Sequence, residues 1–214
     1  DNSSSHDFGK DILPQAVETG RLYAYNYHMN KVPGEKKNAS PYWRDVGTLQ
    51  SYYEANMDLR MADPQLNLYS SQWPIHTYNT SLPPAKFVHN EEIGFQGLSR
   101  IGKAINSTIC DGCIISGSTV LNSILSPQVR IHSYSTVCDS IILNHVDIKE
   151  NCQIRNAIID KHVILENGTQ IGYDRAHDEA RFTVIDLPDG QWLTVIEKNH
   201  NGVTDIMDTS SIDL

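Results

Sequence analysis

The clearest pattern in the chain is a recurrence of aliphatic residues every five or six positions between residues 119 and 169. Aligning residues 119–135, 136–152 and 153–169 gives a gapless period of 17. An amphipathic helix would repeat its apolar residues at three and four positions, so the spacing excludes one. Five columns of the repeat carry only aliphatic residues: Val120, Val137 and Ile154; Ile124, Ile141 and Ile158; Leu125, Ile142 and Ile159; Val129, Val146 and Val163; and Ile131, Ile148 and Leu165.

This spacing predicts short strands joined by tight corners, with about three strands in each coil. A single coil could not bury its own aliphatic residues, whereas stacked coils place equivalent residues about 4.8 Å apart in continuous ladders. Residues 101–175 are therefore predicted to form a parallel β-helix. Their similarity to hexapeptide-repeat proteins indicates a left-handed one, and the whole chain is predicted to be mainly β.

The β-helix is predicted to end in a capping hairpin, so that its domain spans residues 101–198. Two β-rich runs within residues 182–196 flank the turn sequence Leu187-Pro188-Asp189-Gly190. Residues 199–214 contain neither Lys nor Arg and are expected to be a polar tail.

Residues 1–60 show helical and strand patterns in alternation. We predict a short helix at 8–20, a strand at 21–27 and a second helix at 49–59, with Thr48 as its N-cap. Residues 61–100 are predicted to be a linker. The β-helix would thus follow the α/β end of another domain.

The charge balance excludes several classes of protein. The chain has 17 Lys and Arg against 26 Asp and Glu, a net charge of −9. This charge disfavours binding to a nucleic-acid backbone or an anionic membrane. No window approaches the roughly 18 apolar residues of a membrane span, and the polar opening does not fit a signal peptide. We therefore expect a cytoplasmic protein that binds neither nucleic acid nor membrane.

Six segments resemble, in order along the chain, the bacterial glucose-1-phosphate adenylyltransferases. They are residues 6–11 (HDFGKD), 42–48 (YWRDVGT), 73–75 together with 77–78 (WPI and TY), 83–88 (PPAKFV), 112–117 (GCIISG) and 158–161 (IIDK). The resemblance implies that the chain holds the last part of a nucleotidyltransferase domain, at residues 1–60, followed by the linker and the whole left-handed β-helix.

The resemblance also implies a reaction and its site. In this family glucose 1-phosphate attacks the α-phosphorus of ATP to give ADP-glucose and pyrophosphate for glycogen synthesis, with Mg²⁺ as cofactor. The matching places a catalytic, metal-binding carboxylate at Asp45, before a helix N-terminus where phosphates are favoured. Asp7 would accept hydrogen bonds from the sugar hydroxyls, and the rings of Phe8 and Trp43 would pack on the sugar.

Other parts of the family's active site have no counterpart in the chain. Its 13 glycines form no Gly-rich phosphate-binding loop. The resemblance puts the ATP-binding opening and a second metal carboxylate before residue 1. We therefore expect that the chain by itself does not turn over substrate.

The resemblance implies regulation as well. Members of the family bind sugar-phosphate activators and AMP between their two domains and form homotetramers partly through their β-helices. The matching places an effector-binding cation at Lys161, and Arg130 and Arg155 lie on neighbouring coils. Many members end in an Arg-rich segment, whereas this chain ends in an acidic one. These three cations also fit a solvated surface, and the chain also fits a non-catalytic regulatory or assembly module.

Three residue patterns leave further alternatives open. His145 and His162 occupy one column of the repeat and are predicted to stack, and a corner histidine is the general base of hexapeptide-repeat acyltransferases. The sequence Cys110-Asp111-Gly112-Cys113 has the spacing of half a zinc site, but no second close pair follows it. Asp45, taken alone, also fits a carboxylate that stabilises a helix dipole.

Overall fold

The chain is divided into two compact units. A computed structural model describes residues 4–20, 22–34, 41–78, 80–90 and 100–198. The first unit comprises residues 1–43 and 70–74, and the second comprises residues 44–69 and 75–214.

The first unit begins with two consecutive helical segments. Asp7 caps a π-helical turn, Phe8–Ile12, by accepting a hydrogen bond from the Lys10 backbone N–H at 2.8 Å. Helix α1, Leu13–Glu18, follows with a proline in its first turn, so the prediction of a helix in this region is confirmed. The predicted strand at 21–27 is wrong for its described residues: 22–26 form no strand, and Asn26 instead caps a 3₁₀ turn, Tyr27–Met29. A strand requires a neighbouring strand to pair with, and none of the strands that the structure describes pairs with residues 22–26.

Helix α2, Leu49–Leu59, opens the second unit and has the predicted bounds. The Thr48 hydroxyl accepts a hydrogen bond from the Ser51 backbone N–H at 3.1 Å, and the Ser51 hydroxyl oxygen accepts one from the Thr48 N–H at 3.1 Å. This reciprocal cap satisfies two backbone donors at the helix start and confirms Thr48 as the N-cap. Among the helices that the structure describes, none has the length and apolar content needed to cross a bilayer.

The described part of the second unit contains 17 short strands. Their bounds are β1 Lys86–Asn90, β2 Arg100–Ile101, β3 Lys103–Ile105, β4 Thr108–Ile109, β5 Ile114–Ser116, β6 Thr119–Leu121, β7 Ile124–Leu125, β8 Arg130–Ile131, β9 Thr136–Cys138, β10 Ile141–Ile142, β11 Asp147–Ile148, β12 Gln153–Arg155, β13 Ala157–Ile159, β14 Ile164–Leu165, β15 Gln170–Ile171, β16 Thr183–Asp186 and β17 Trp192–Ile196. A short helix, α3, Arg175–Glu179, lies between β15 and β16.

These strands form the three sides of a parallel β-solenoid. Sheet I has the order β14-β11-β8-β5-β1-β2, sheet II the order β16-β17-β13-β10-β7-β4, and sheet III the order β15-β12-β9-β6-β3. Each of four successive coils contributes one strand to each sheet. Ile141 pairs with Ile124 on one side and with Ile158 on the other, which confirms the period of 17 residues.

The segment 61–100, predicted to be a linker, carries the first strand of the solenoid. Strand β1 pairs in parallel with β5, with Phe87 opposite Ile115. Sheet I therefore begins within this segment, two coils before β8, which is the first strand of sheet I in the regular repeat of residues 119–169.

The corners of the coils turn through residues of left-handed conformation. The corner between sheets III and II has Asn122 and Asp139, each with φ of 46°. Asn and Asp adopt this conformation at lower cost than other residues with a Cβ. The corner between sheets II and I has His145 and His162, with φ of 60° and 62°. The repeated left-handed residue allows two extended strands to meet at a sharp angle.

The core is the interior of the solenoid and has two kinds of ladder. Aliphatic side chains such as Leu125, Ile142 and Ile159 stack along the axis with no exposed surface. Buried serines form a second ladder at the corners: the Ser123 hydroxyl oxygen accepts the Ser140 N–H, and the Ser140 oxygen accepts the Ala157 N–H, each at 3.1 Å. The serines thus satisfy backbone donors that the strand pairing leaves free.

Helix α2 covers the outer face of sheet II. Tyr52, Tyr53 and Met57 pack there against Ile141 and Ile158, which point away from the solenoid interior. The Tyr53 hydroxyl donates to the Asp139 carbonyl oxygen at 2.7 Å. Burial, with a smaller contribution from the Asp139 charge, raises the pKa of Tyr53 to about 12.

The predicted hairpin is confirmed and closes the C-terminal end of the solenoid. Strands β16 and β17 are antiparallel, and β17 also pairs in parallel with β13. The side chain of Asp178, 1% exposed, holds the cap in place. Its Oδ2 accepts from the Gly172 N–H at 2.8 Å, the Trp192 Nε1–H at 3.1 Å and the Thr194 hydroxyl at 2.9 Å.

Replacing Asp178 by alanine removes the common acceptor of three buried donors. We expect the free energy of unfolding of Asp178→Ala to fall by about 3 kcal/mol, because unpaired buried donors keep their desolvation cost. Urea unfolding followed by circular dichroism measures the change. The exposed Asp186, which pairs with Arg175 at 2.6 Å, provides a control: Asp186→Ala should cost less than about 1 kcal/mol. Equal losses in the two variants would contradict this role for Asp178.

The docking of α2 should weaken in alkali. The raised pKa means that folding favours the protonated Tyr53 phenol, so this stabilisation is complete below pH 10 and is lost as the pH rises towards about 12. Between about pH 8 and pH 11, wild type should lose about 1 kcal/mol more unfolding free energy than Tyr53→Phe. Urea unfolding at the two pH values tests this, with Tyr52→Phe as the matched control that should behave like wild type. An identical pH dependence in wild type and Tyr53→Phe would refute the assignment.

Candidate functional site

The loop that precedes α2 holds Asp45 by contacts on both sides. The Asp45 Oδ1 accepts the Gly47 backbone N–H at 3.0 Å. One residue earlier, Arg44 forms an ion pair with Glu54 of α2, with Nη2 and Oε2 3.3 Å apart. The Thr48 cap follows the loop. The position of the Asp45 carboxylate is therefore set by the start of α2.

Asp45 has the chemical properties of a ligand for a hard cation. Its side chain is exposed, and Oδ2 forms no hydrogen bond with the residues that the structure describes. Mg²⁺ is usually bound by one or two protein carboxylates together with substrate phosphates and water. A single exposed carboxylate at the start of a helix fits one such position.

The three residues predicted to contact the sugar belong to the first unit. The Asp7 Oδ1 caps the helical turn that starts at Phe8, and its Oδ2 lies 4.0 Å from the Lys10 Nζ. The side chains of Phe8 and Trp43 are 67% and 74% exposed. The two rings are therefore not core residues of the described unit, and their packing on a sugar stays a prediction. Asp45 belongs to the second unit.

The three cations predicted to bind effectors lie at three different places on the solenoid. Arg130 is exposed on sheet I, Lys161 is exposed at the corner between sheets II and I, and Arg155 ends a strand of sheet III. Arg155 is engaged within the protein: its Nη2 donates to the Gly172 carbonyl oxygen at 2.9 Å, and its guanidinium lies 4.9 Å from the centre of the Tyr173 ring. The structure therefore does not gather the three into one cluster.

Around Lys161 the structure assembles a group of basic residues that the sequence did not indicate. The backbone N–H of Asp160 donates to the Ile196 carbonyl oxygen at 2.9 Å, and Ile159 pairs with Ile196. This register brings the exposed Lys198, which follows β17, alongside Lys161. We call Lys161, His162, Lys198 and His145 the cationic corner.

The histidines of the cationic corner confirm the predicted stacking. The ring centres of His145 and His162 are 4.7 Å apart and the planes differ by 7°. Burial is the largest cause that lowers the pKa of His162, followed by the charges of His145, Lys198 and Lys161. Asp160 opposes this effect weakly. Burial and the neighbouring positive charges thus both disfavour a proton on His162.

The four cysteines are free thiols within the solenoid wall. Burial raises the pKa of Cys113 to about 11, and burial followed by the Asp111 charge raises the pKa of Cys110. Both thiols are therefore protonated near neutral pH, although a zinc ligand must be a thiolate. Within the described ranges, no group of three or more His, Cys, Asp or Glu side chains is arranged to hold a metal ion.

Two protein-family models match the chain on either side of residue 70. The model described as "Nucleotidyl transferase" matches residues 1–62, and the model described as "GlmU-like, C-terminal hexapeptide" matches residues 83–188. The first contains the Asp45 loop, and the second contains the regular coils.

Curated relatives match both parts of the chain at once. The glucose-1-phosphate adenylyltransferase of Thermus thermophilus is 50% identical over 202 residues, which are 94% of this chain and 46% of that protein. The enzymes of the same name from Thermus caldophilus and an Anaeromyxobacter species are 51% identical over 202 residues and 48% identical over 184 residues, or 46% and 44% of their lengths. The chain thus spans about half the length of the curated relatives it matches. It belongs to the glucose-1-phosphate adenylyltransferase family, with a nucleotidyltransferase segment followed by a hexapeptide-type solenoid.

Proposed function

We propose that this chain is part of a cytoplasmic glucose-1-phosphate adenylyltransferase, which makes ADP-glucose for glycogen synthesis. The observation that carries the proposal is the continuity of the match: 50% identity over 202 residues includes both the Asp45 loop and the solenoid. A protein that shared only the solenoid with these enzymes would match over its second half alone.

In the proposed reaction, a phosphate oxygen of glucose 1-phosphate attacks the α-phosphorus of ATP. A new P–O bond forms, the bond between the α- and β-phosphates breaks, and pyrophosphate leaves. Mg²⁺, when bound, neutralises charge on the phosphates, and Asp45 would be one of its protein ligands. Asp7 would accept the sugar hydroxyls, and the exposed rings of Phe8 and Trp43 would cover the apolar faces of the sugar.

The solenoid is proposed to regulate and assemble the enzyme. Lys161 is exposed at a corner that also presents Lys198, so a sugar-phosphate activator or AMP would find two ammonium groups there. The solenoid also exposes large apolar residues, with Phe87 46% and Ile105 55% exposed, which support contacts in a homotetramer. These properties favour a regulatory role for the solenoid within an enzyme over a separate assembly module.

The catalytic proposal predicts that the chain alone is inactive, whereas a chimera of the chain with a relative is active. The 214-residue chain should release no pyrophosphate from ATP and glucose 1-phosphate, because a phosphate-binding loop is absent from its sequence. A chimera in which the chain replaces the matching part of the Thermus thermophilus relative should be active, and Asp45→Asn should lower its kcat about 10²-fold.

The control for this experiment is Glu18→Gln, which neutralises an exposed carboxylate of α1. It should leave the kcat unchanged, and both variants should keep the melting temperature of the chimera. Turnover by the chain alone, or full activity of the Asp45→Asn chimera, would refute the proposed division.

The regulatory proposal predicts different consequences for two basic residues. Lys161→Ala should weaken binding of a sugar bisphosphate and of AMP to the chain about tenfold, since a charged hydrogen bond contributes at least about 1.4 kcal/mol. Arg155→Ala should instead lower the unfolding free energy, because its guanidinium bonds to Gly172. Isothermal titration calorimetry and urea unfolding separate the two effects. Lys103→Ala, at the opposite end of the solenoid, serves as the control, and unchanged affinity in Lys161→Ala would contradict the effector site.

A further inference from the structure

The cationic corner is an unusual concentration of positive charge in an acidic protein. The chain carries a net charge of −9, yet the charges of both Lys161 and Lys198 act on His162 at one corner. Among the described residues, Asp160 is the carboxylate whose charge acts on His162, and its Oδ1 accepts a hydrogen bond from the Lys161 backbone N–H at 2.7 Å. Two ammonium groups near one another repel, and a bound anion would relieve this repulsion.

His162 completes this corner from the next position in the chain. It is partly buried, and one face of its ring is covered by the parallel ring of His145, 4.7 Å away. The charged or titratable groups that act on it are His145 from the preceding coil, Lys161 and Asp160 from its own corner, and Lys198 at the end of β17. Burial is the largest cause that disfavours a proton on His162, and three of these four groups add to it.

We infer that the cationic corner binds the dianion of a phosphate monoester together with one proton, which His162 takes up from the solvent. The inference rests on the proposed effector site at Lys161 and extends it by assigning His162 as a ligand-binding residue. The bonds of the phosphate monoester do not change: the neutral imidazole forms one N–H bond with a proton from the solvent, and this N–H donates to a phosphate oxygen.

The charges around His162 explain why a bound phosphate dianion should raise the pKa of this residue. A dianion between the two lysines outweighs their repulsion of a protonated imidazole and adds an acceptor for its second N–H. The net effect of the surrounding charges on a proton at His162 therefore changes from unfavourable to favourable when the corner binds the dianion.

The stacked pair limits the uptake to one proton. Protonating both rings would place two positive charges at the 4.7 Å spacing of the stack. A second proton on the stacked pair is therefore disfavoured once His162 is charged. A sulfate monoester, which carries one negative charge, should drive the uptake less strongly than a phosphate monoester, which carries nearly two above its second pKa of about 6.

Nitrogen-15 NMR titration of the histidine rings in the 214-residue chain tests this inference. Phenyl phosphate is the probe and phenyl sulfate is the monoanionic comparison. Saturation with phenyl phosphate should raise the pKa of His162 by about one unit, and the affinity for phenyl phosphate should fall about threefold between pH 6.5 and pH 9. Parallel titrations with a hexose bisphosphate and with AMP identify which source of the phosphate group the corner accepts.

Two substitutions separate the proton uptake from simple binding. His162→Gln keeps a hydrogen-bonding side chain that cannot take up a proton, so it should bind phenyl phosphate as wild type does at pH 9 and lose the increase at pH 6.5. The matched control is His132→Gln on sheet I, where the imidazole Nε2 bonds to Asp147 at 2.8 Å. This variant should retain the pH dependence of wild type.

The outcomes distinguish this inference from the proposed effector site. Binding of phenyl phosphate that Lys161→Ala weakens, but that leaves the pKa of His162 unchanged, would overturn the proton uptake and leave the effector site standing. Absence of binding to wild type would overturn both. Equal shifts with phenyl phosphate and phenyl sulfate would refute the preference for a dianion.

Discussion

The whole second unit depends on the axial stacking of coils that cannot be stable one by one. Ile142 is buried because Leu125 and Ile159 lie directly below and above it, and the backbone of each coil pairs with the next in register. An isolated coil would expose both its aliphatic side chains and its strand edges. Left-handed corner residues such as Asn122 and Asp139 allow this stacking, because they turn the chain sharply between extended segments.

Stacking also creates the outer surface to which the other elements attach. Ile141 and Ile158 point outward from sheet II, and both α2 and the terminal hairpin pack on them. The helix that follows the Asp45 loop is therefore fixed to the same sheet whose next strand ends at the cationic corner. Sheet II therefore supports both the helix that follows the proposed metal ligand and the corner that carries the proposed effector site.

The basic residues of the solenoid show why positive charge alone does not identify an anion site. Arg155 matched the expected chemistry, but its guanidinium bonds to the Gly172 carbonyl and covers the Tyr173 ring, so it closes the last coil. Lys161 keeps its ammonium group exposed, and the strand register adds Lys198 beside it. A cation that donates an internal hydrogen bond has a structural role, whereas a cation whose charged group stays exposed is available to a ligand.

Local chemistry explains what could be predicted before any coordinates were known. The period of 17 residues, the Thr48 cap, the helix at 49–59, the hairpin and the stacking of His145 on His162 follow from neighbouring residues or from one repeat, and each is found in the fold. The strand expected at 21–27 was wrong, because extended residues form a strand only when another strand pairs with them. The docking of α2 on sheet II, the role of Asp178 in the cap and the approach of Lys198 to Lys161 join residues far apart in the chain. Their contacts depend on which surfaces remain uncovered after the coils stack, and on the register of β17, so they exist only in the folded structure.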